Sequence, residues 1–356
     1  MFRKTSIPLV LTLCLAALLL PAVRHEASSA DHPAQVSCRQ LKSIGLPTAP
    51  AGLSWTTATS PNDKTKLDQW CESVGPAIFR GPEATQNRGT EKRGRVLVVN
   101  WNVHVGNGNL AALIEQLKAD ERSAGRGDPD FVFLLQEAFR RGTDVPSTAG
   151  IATGNGPSRI QPGTYDIQEL AQKLDWWMLY APSMRNGKEV AEDRGNAILS
   201  SLPLEGLEAI ELPFAVQRRV AIAAIVNDSE RDLRFRVTTM HLDTRAPMTH
   251  GFVFGAPAAR NAQAKWIAES VRRFSDDGMP LIVGGDLNSY WGSLESSVDT
   301  LASVVPHLNC GTKTHASGFT LDHMFARLPS GVTSCRRAND RFESDHYPLV
   351  LPLDQW

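Results

Sequence analysis

Residues 280–288, PLIVGGDLN, are the most informative stretch of this sequence. The apolar run at 281–283 predicts a buried strand, and the glycines and polar residues after it mark the end of that strand. Asp286 and Asn288 therefore lie where a strand passes into a loop. Such loops are where a layered scaffold can bring polar side chains to one point. The stretch predicts a functional site at this strand end, although an ordinary Asx turn would use the same residues.

Four further segments also place polar side chains beside an apolar strand. They are WNVH with Asn102, LLQEAF with Glu137, TTMHLD with His241, and SDHYP with Asp345 and His346. Together with Asp286 and Asn288 they supply carboxylates, amides and imidazoles. Oxygen ligands of this kind suit Mg²⁺, with Mn²⁺ or Ca²⁺ as alternatives, rather than zinc. Because imidazoles transfer protons near neutral pH, the combination predicts metal-assisted hydrolysis of a phosphoester.

Several of these residues can be given a role from their position alone. Glu137 and Asn102 are predicted to end neighbouring strands, so we interpret both as metal ligands rather than as caps of the following turns. Asp322, in the segment LDH, is predicted to hold the tautomer of His346, as a carboxylate does in other catalytic pairs. Arg219 could bind a substrate phosphate, but a solvated or salt-bridged role fits it equally well.

The order of the predicted elements indicates the fold class. Strands outnumber helices, and several consecutive strands have no helix between them. This pattern predicts an α+β fold with mixed sheets rather than a doubly wound parallel sheet. A GxGxxA segment at 106–111 partly matches a dinucleotide-binding fingerprint, but the acid that should follow lies too far along the chain. No serine-hydrolase, zincin or P-loop motif is present in the sequence.

In their order along the chain, these segments resemble the endonuclease/exonuclease/phosphatase superfamily, which has the DNase I-like fold, and in particular a bacterial, secreted member of it. The resemblance spans about residues 94–353, and GGDLN and SDHYP are its most specific pieces. It implies a four-layer α/β/β/α sandwich of two mixed β-sheets flanked by helices. The site would lie at one end of the sandwich.

The resemblance also implies roles for individual residues. Asp286 would orient or activate the attacking water, and Asn288 would hydrogen-bond a phosphoryl oxygen. His346 would contact the scissile phosphate, and Asp345 would help to hold the metal ion. His241 would assist protonation of the leaving group.

The substrate is defined less closely than the reaction. Asn196, in a segment that also matches the family, is expected to contact its phosphate. A phospholipid headgroup, a small diester, a monoester or a nucleic acid would each suit the chemistry. The formal net charge of −1 argues against a nuclease, because nucleic-acid binders usually carry a basic excess. A binding module without turnover is the alternative from another class. We infer no protein partner and expect a monomer.

The N-terminus is typical of a secretory signal peptide. Arg3 and Lys4 precede an apolar run that begins at residue 7, and small residues at 28–30 offer a cleavage site. We expect residues 1–30 to be removed and the protein to be secreted or periplasmic. An uncleaved segment would instead anchor it to the membrane.

Residues 31–93 form a predicted N-terminal extension ahead of a domain at 94–356. The extension is too short for a core of its own without a covalent staple. Outside the signal segment, the chain has Cys38, Cys71, Cys310 and Cys335, and an even number in an exported chain suggests disulfides. Of the possible pairings, Cys38–Cys71 with Cys310–Cys335 closes the shortest loops. Buried thiols are the alternative.

Overall fold

A computed structural model describes residues 53–57, 61–82, 94–147, 164–185, 191–215, 217–244, 257–273, 278–329 and 335–353. The predicted signal peptide at 1–30 lies outside these ranges. Within them, the helices are all too short or too polar to cross a membrane.

The described residues form thirteen strands and five α-helices. The strands are β1 (Ser54–Thr57), β2 (Ile78–Arg80), β3 (Val96–Asn102), β4 (Asp130–Arg141), β5 (Trp177–Met184), β6 (Glu192–Ser200), β7 (Leu204–Glu211), β8 (Val220–Asp228), β9 (Leu233–His241), β10 (Leu281–Asp286), β11 (Asp322–Arg327), β12 (Arg336–Arg337) and β13 (Leu349–Leu353). The helices are α1 (Pro61–Glu72), α2 (Leu110–Ser123), α3 (Ile167–Leu174), α4 (Pro257–Arg273) and α5 (Ser296–Ala302).

The strands make two mixed sheets. Sheet A has six strands in the order β1-β7-β8-β9-β10-β11, and sheet B has seven in the order β12-β13-β3-β4-β6-β5-β2. Most neighbours are antiparallel, but β3 runs parallel to β4, β9 runs parallel to β10, and the short edge strand β1 runs parallel to β7. Each sheet therefore contains a parallel pair whose carboxyl ends lie at the same edge.

Hydrophobic side chains fill three spaces between the layers. The first lies between the sheets, where Val98 of sheet B and Ile282 of sheet A are both buried. The second lies between sheet B and α2 with α3, and the third between sheet A and α4 with α5. The layers therefore follow the order helix, sheet, sheet, helix, which confirms the predicted four-layer sandwich.

Strand β3 shows how the sequence fits these layers. All seven of its residues are buried. Val96 and Val98 contribute to the space between the sheets, whereas Leu97 and Val99 pack on the helical side. The alternation arises because successive side chains of a strand point to opposite faces. A central strand covered on both faces thus has a continuous apolar sequence.

The described part of the N-terminal extension adds one strand to each sheet. Strand β1 pairs with β7 in sheet A, and β2 pairs with β5 in sheet B. The segment between α1 and β2 is held by buried ionic groups: Arg140 donates a hydrogen bond to the carbonyl of Pro76 at 2.7 Å, and Asp193 accepts one from the backbone N–H of Gly75 at 2.8 Å. Residues from both sides of position 94 therefore share the same sheets.

Cys310 and Cys335 form a disulfide, with their Cα atoms 4.6 Å apart. It is one of the two bonds of the pairing that closes the shortest loops. Cys71 is also disulfide-bonded. Its expected partner, Cys38, lies outside the described residues, so that pairing stays a prediction.

Candidate active site

Three strands of sheet A place acidic and imidazole side chains side by side. In the register of the sheet, Asp286 at the end of β10 lies opposite His241 of β9 and Asp322 of β11. All three side chains are buried. Because β9 and β10 are parallel and end together, strand register alone gathers these predicted residues at one edge.

Asp286 lies at the centre of a polar network that joins the two sheets. Its Oδ2 accepts a hydrogen bond from Nδ2 of Asn102, in sheet B, at 2.9 Å. The same oxygen lies 3.5 Å from Nε2 of His241 and 3.7 Å from Nε2 of His346. Its Oδ1 accepts a hydrogen bond from the backbone N–H of Asn288 at 2.9 Å. The structure therefore brings five of the predicted site residues together.

Asn288 follows Asp286 in a tight turn. The bond from its backbone N–H to the Asp286 carboxylate is that of an Asx turn. Its backbone is left-handed, with a φ of 50°, and its Nδ2 donates to the carbonyl of Leu242 at 3.0 Å. The Asx turn that the sequence offered as an alternative is thus present, and it presents the Asn288 side chain at the site.

His346 is held by its partners at both the ring and the backbone. Nδ1 of the ring lies 2.8 Å from Oδ2 of Asp322. The backbone N–H of His346 donates to Oγ of Ser344 at 3.0 Å, and that hydroxyl donates to the carbonyl of Asn102 at 2.7 Å. Trp101 Nε1 donates to the carbonyl of His346 at 3.0 Å. These bonds leave Nε2 as the ring nitrogen that faces Asp286.

Charge and burial shift the pKa values of His346 and His241 in opposite directions. Burial alone would lower the pKa of His346, but the carboxylates of Asp322 and Asp286 raise it to about 10. Burial raises the pKa of Asp286 to about 6, against the opposing charge of His346. Burial and the charge of Arg219 lower the pKa of His241 well below its usual value. At neutral pH, His346 is therefore cationic and His241 is neutral.

His241 has an unused hydrogen-bonding position. Its Nε2 is buried and has no hydrogen-bond partner within the described ranges, and the same holds for Oδ1 of Asp322. Buried polar atoms are rarely left unpaired in folded proteins. A phosphate oxygen or a water molecule next to Nε2 would supply the missing partner.

Glu137 departs from its predicted position. The sequence predicts it at a strand end, but it lies inside β4, where the register with β6 shifts between Leu135 and Ala138. Its backbone is left-handed, with a φ of 54°. A β-bulge of this kind re-aims a side chain without ending the strand. Oε2 of Glu137 accepts a hydrogen bond from Nη1 of Arg194 at 3.1 Å.

Asp345 is surrounded by imidazoles. Its Oδ1 lies 3.6 Å from Nδ1 of His104 and 3.8 Å from Nε2 of His346, and its Oδ2 lies 3.4 Å from Nε2 of His315. Burial acts to raise the pKa of Asp345, but the hydrogen bond from His315 and the charge of His346 lower it to about 2. The carboxylate is therefore ionised, and with 34% of its side chain exposed it is accessible from solvent.

Two residues of this region were not among the sequence-predicted ones. His315 follows no predicted strand, and it reaches the site because its backbone pairs with that of His346. Gln136 lies beneath the site, where Nε2 donates to Oδ1 of Asn100 at 2.9 Å and to Oγ1 of Thr239 at 2.8 Å. A polar residue inside the apolar β4 sequence was the available signal for Gln136. The sequence holds no comparable signal for His315.

The two residues predicted to contact phosphate, Asn196 and Arg219, differ in whether their hydrogen-bond donors already have partners. Nδ2 of Asn196, on β6, donates to the carbonyl of Val220 across the sandwich at 2.5 Å. Arg219 is buried, and Nη2 donates to Oε1 of Gln217 at 3.1 Å. Nε of Arg219 is buried and without a hydrogen-bond partner in the part of the chain described. Arg219 therefore keeps an unused donor, whereas the amide of Asn196 already has a partner.

The donor chemistry near the site fits a divalent ion. Two groups of side chains bring possible ligand atoms within 4.8 Å of one another: His315 with Asp345 and His346, and Asp286 with Asp322 and His346. Both include His346, whose ring is cationic at neutral pH, and neither includes Glu137 or Asn102. Of the predicted ligands, Asp345 is ionised and accessible, and Glu137 has a carboxylate oxygen beyond the one that Arg194 occupies. Oδ1 of Asn102 accepts from the N–H of His104 at 2.9 Å but has a second lone pair. Hard oxygen donors of this kind suit Mg²⁺ or Mn²⁺.

The sequence model for the Endonuclease/Exonuclease/phosphatase family matches residues 99–346. This range begins in β3 and ends at His346, so it contains every predicted site residue. No curated protein matches the sequence significantly.

Several solved structures are similar to this chain. An endonuclease/exonuclease/phosphatase from Beutenbergia cavernae is 17% identical, with a TM-score of 0.50, over 74% of this chain and 72% of that one. Mannosyl-6-phosphatase from Bacteroides thetaiotaomicron is 17% identical, with a TM-score of 0.43, over 73% of this chain and 100% of that one. Sphingomyelinase C from Streptomyces griseocarneus is 16% identical, with a TM-score of 0.40, over 73% and 99%. At 17% identity, the likeness to the Beutenbergia cavernae structure concerns the fold alone.

Proposed function

The chain belongs to the endonuclease/exonuclease/phosphatase family, and from that premise we propose that it is a metal-dependent hydrolase of phosphoesters. The observation that carries the proposal is the position of Asp286, which is bonded to Asn102 and flanked by His241 and His346. A carboxylate held in this way can accept a proton from an attacking water. The unpaired Nε2 of His241 supports a ligand with oxygen atoms beside it.

In the proposed reaction, Asp286 accepts a proton from water while the water oxygen forms a bond to phosphorus. The bond from phosphorus to the leaving oxygen breaks, and that oxygen takes a proton from Nε2 of His346, whose ring is held by Asp322. His241 and Asn288 would hydrogen-bond the phosphoryl oxygens, where negative charge develops. The resemblance implies that His241 protonates the leaving group and that His346 contacts the phosphate, and this assignment exchanges the two roles. The reason is that Asp322 holds the ring of His346 at Nδ1.

A divalent ion held by Glu137, Asp345 and Asn102 would supply positive charge close to the phosphoryl oxygens. Mg²⁺ is the proposed ion, with Mn²⁺ or Ca²⁺ as alternatives, because the set combines carboxylate and amide oxygens. Arg219 would add a further donor for the phosphate through its unpaired Nε. The proposed substrate class is a diester or monoester on a lipid headgroup, a small molecule or a nucleic acid, and the protein is proposed to act as a monomer.

A substrate panel tests this function. Purified protein would be incubated with plasmid DNA, RNA, phosphoinositides, sphingomyelin, a chromogenic diester and a chromogenic monoester, each with Mg²⁺ and with a chelator. Asp286→Asn serves as the matched control, since it keeps the size of the side chain and removes its basicity. We expect Mg²⁺-dependent turnover of at least one substrate by the wild-type protein and none by the variant. Metal binding without turnover of any substrate would favour the silent binding module instead.

We also propose that the protein is exported. The support is the signal-like start of the sequence together with the Cys310–Cys335 disulfide, since such bonds persist in oxidising compartments. Sequencing the N-terminus of protein recovered from the periplasm or medium should find a start near residue 31. Recovery of uncleaved protein in the membrane fraction would favour the anchored form, and recovery from the cytosol alone would contradict export.

A further inference from the structure

The carboxylate of Glu137 already has a cationic partner. Nη1 of Arg194 donates to its Oε2 at 3.1 Å, and the two side chains are only 16% and 14% exposed. A second contact of this guanidinium is weak, because Nη2 lies 3.1 Å from the thioether sulfur of Met184, and a thioether is a poor acceptor. Within the described ranges, Glu137 is therefore the strong partner of Arg194, and Arg194 occupies one oxygen of a proposed metal ligand.

The position of Arg194 follows from two irregularities in sheet B. Opposite it on one side, β4 has the bulge that re-aims Glu137. On the other side, the pairing of β5 with β6 shifts between Pro182 and Met184, and Arg194 is the residue paired with Met184. The bulge and the shift together place the guanidinium of Arg194 beside the carboxylate of Glu137. The pair is thus built by the backbone rather than by a chance meeting of surface side chains.

A second arginine, Arg219, lies close enough to Arg194 for the charge of Arg194 to affect its pKa. Burial lowers the pKa of Arg219, Asp243 opposes that effect, and the positive charge of Arg194 lowers it further. Glu137 acts on Arg219 as well. A divalent ion added at Glu137 would therefore enter a region that holds two guanidinium groups besides the carboxylates of Asp243 and Asp286. Like charges in a partly buried site repel each other strongly, because water screens them less there.

We propose that Arg194 is an exchangeable counter-ion of Glu137, which the divalent ion displaces and which then binds the phosphate of the substrate. The inference rests on the proposed metal site at Glu137. It makes the binding of metal and of phosphate cooperative, since the phosphate both receives the released guanidinium and offsets the added positive charge. Linkage requires the effect to be reciprocal: phosphate must tighten metal binding by the same factor by which metal tightens phosphate binding.

A fixed structural pair would behave in the opposite way. If Arg194 only holds Glu137 in position, removing the guanidinium would let the carboxylate move, and metal would bind more weakly or equally well. If Arg194 competes with the metal, removing it would tighten metal binding in the absence of phosphate. The two roles therefore differ in the change in metal affinity and in its dependence on phosphate, because only a guanidinium released from Glu137 lets phosphate tighten metal binding.

The test measures Mn²⁺ affinity of the full chain from the electron paramagnetic resonance signal of the free ion, with and without inorganic phosphate. Arg194→Met removes the charge and keeps an unbranched side chain beside Met184, and Arg194→Gln removes it with a polar side chain in case the first variant does not fold. Arg234→Gln is the matched control, because it removes the same charge from an exposed pair with Glu205 at the opposite end of β9 from His241. Arg194→Lys keeps the charge as a more compact ammonium.

We expect the Met and Gln variants to bind Mn²⁺ about 2- to 5-fold more tightly than wild type without phosphate, a size typical of one ion pair. We expect phosphate to tighten Mn²⁺ binding in the wild type and in Arg234→Gln, and to have little effect once the guanidinium is gone. The lysine variant should resemble the wild type.

Equal or weaker Mn²⁺ binding by both neutral variants would overturn the inference, as would the absence of Mn²⁺ binding by the wild type. An effect of phosphate as large in the neutral variants as in the wild type would overturn it too. Because the test measures Mn²⁺ binding and not hydrolysis, its result can be told apart from the result of the substrate panel. If Mn²⁺ affinity changes as expected but the protein hydrolyses no substrate in the panel, the exchange at Glu137 is supported and the proposed hydrolase activity is contradicted.

Discussion

Asn102 donates a hydrogen bond from Nδ2 to Oδ2 of Asp286 at 2.9 Å, and this bond crosses from sheet B to sheet A. Asn102→Ala should therefore remove a donor from the proposed base and let Asp286 take other rotamers. We expect kcat to fall on the order of 10- to 100-fold, as is usual for a residue that orients a reacting group. Steady-state kinetics at saturating Mg²⁺ would measure it. Asn227→Ala, at the far end of β8, is the control, and an unchanged kcat for Asn102→Ala would show that the bond is dispensable.

Glu137→Gln should weaken metal binding. The change removes one negative charge from a set of oxygen ligands and leaves the side chain the same size. The rate at low Mg²⁺ should drop, and raising the Mg²⁺ concentration should restore part of it. The measurement is the rate as a function of Mg²⁺ for the variant and the wild type. A loss that no concentration of Mg²⁺ reduces would remove Glu137 from the ligand set.

His346→Ala should fail in a different way. The proposed metal ligands remain, but the imidazole that Asp322 holds beside Asp286 is gone. We expect a loss on the order of 10²–10⁴-fold, typical of a positioned acid–base group, with no recovery on adding Mg²⁺. Circular dichroism would verify that the variant is folded. Full activity in a folded His346→Ala protein would show that the SDHYP segment has been assigned wrongly.

His323 should make the stability of the fold depend on pH. It is buried, with Nε2 lying 2.7 Å from Oγ of Ser289 and Nδ1 lying 3.0 Å from Nε2 of His307. Burial, with a smaller effect of His307, lowers the pKa of His323 to about 3. Its pKa in the unfolded chain is about 6.5, so between these values the unfolded state binds a proton that the folded state does not. As pH falls from about 6.5 towards 3, this residue should lower the free energy of unfolding by up to about 1.4 kcal/mol per pH unit.

Urea unfolding of the wild type and of His323→Gln at a series of pH values checks this prediction. The glutamine does not titrate, so the stability advantage of the wild type should shrink on acidification. The difference between the two proteins, rather than either curve alone, is the measure, since other groups titrate in both. Parallel curves from neutral pH to pH 4 would contradict the assignment.

The central strands and the residues at their ends were predictable from the sequence because burial on both faces leaves a clear apolar run. The strand from which Asp286 emerges is one example, and the register of β9, β10 and β11 then places His241 and Asp322 beside it. Helices α1 and α5 were not predicted. Both are rich in polar residues: α1 has the sequence PNDKTKLDQWCE and α5 the sequence SSVDTLA. Neither has the long apolar stripe that marks a helix.

What the sequence could not give was the geometry created by backbone irregularities. Glu137 was expected at a strand end because a polar residue follows an apolar run, whereas the strand continues through a bulge to Arg141. The same bulge pairs Glu137 with Arg194, which lies 57 positions away in the chain. His315 reaches Asp345 through a loop whose backbone pairs with that of His346. A contact between two irregular segments has no periodicity, so no pattern along the chain reports it.

The strands of the extension determine what a shortened chain would expose. Strand β1 covers the outer side of β7, and β2 covers the outer side of β5. The family match begins only at residue 99, inside β3, so a shortened chain that keeps β3 would begin near residue 94. Such a chain would leave β7 and β5 at the sheet edges, with rows of backbone N–H and C=O groups facing solvent. Open edges of this kind pair with other chains and seed aggregates. Because β1 and β2 are much shorter than the strands they cover, they leave shorter open edges than β7 and β5 would. We therefore expect removal of this segment to lower solubility even though every proposed catalytic residue remains.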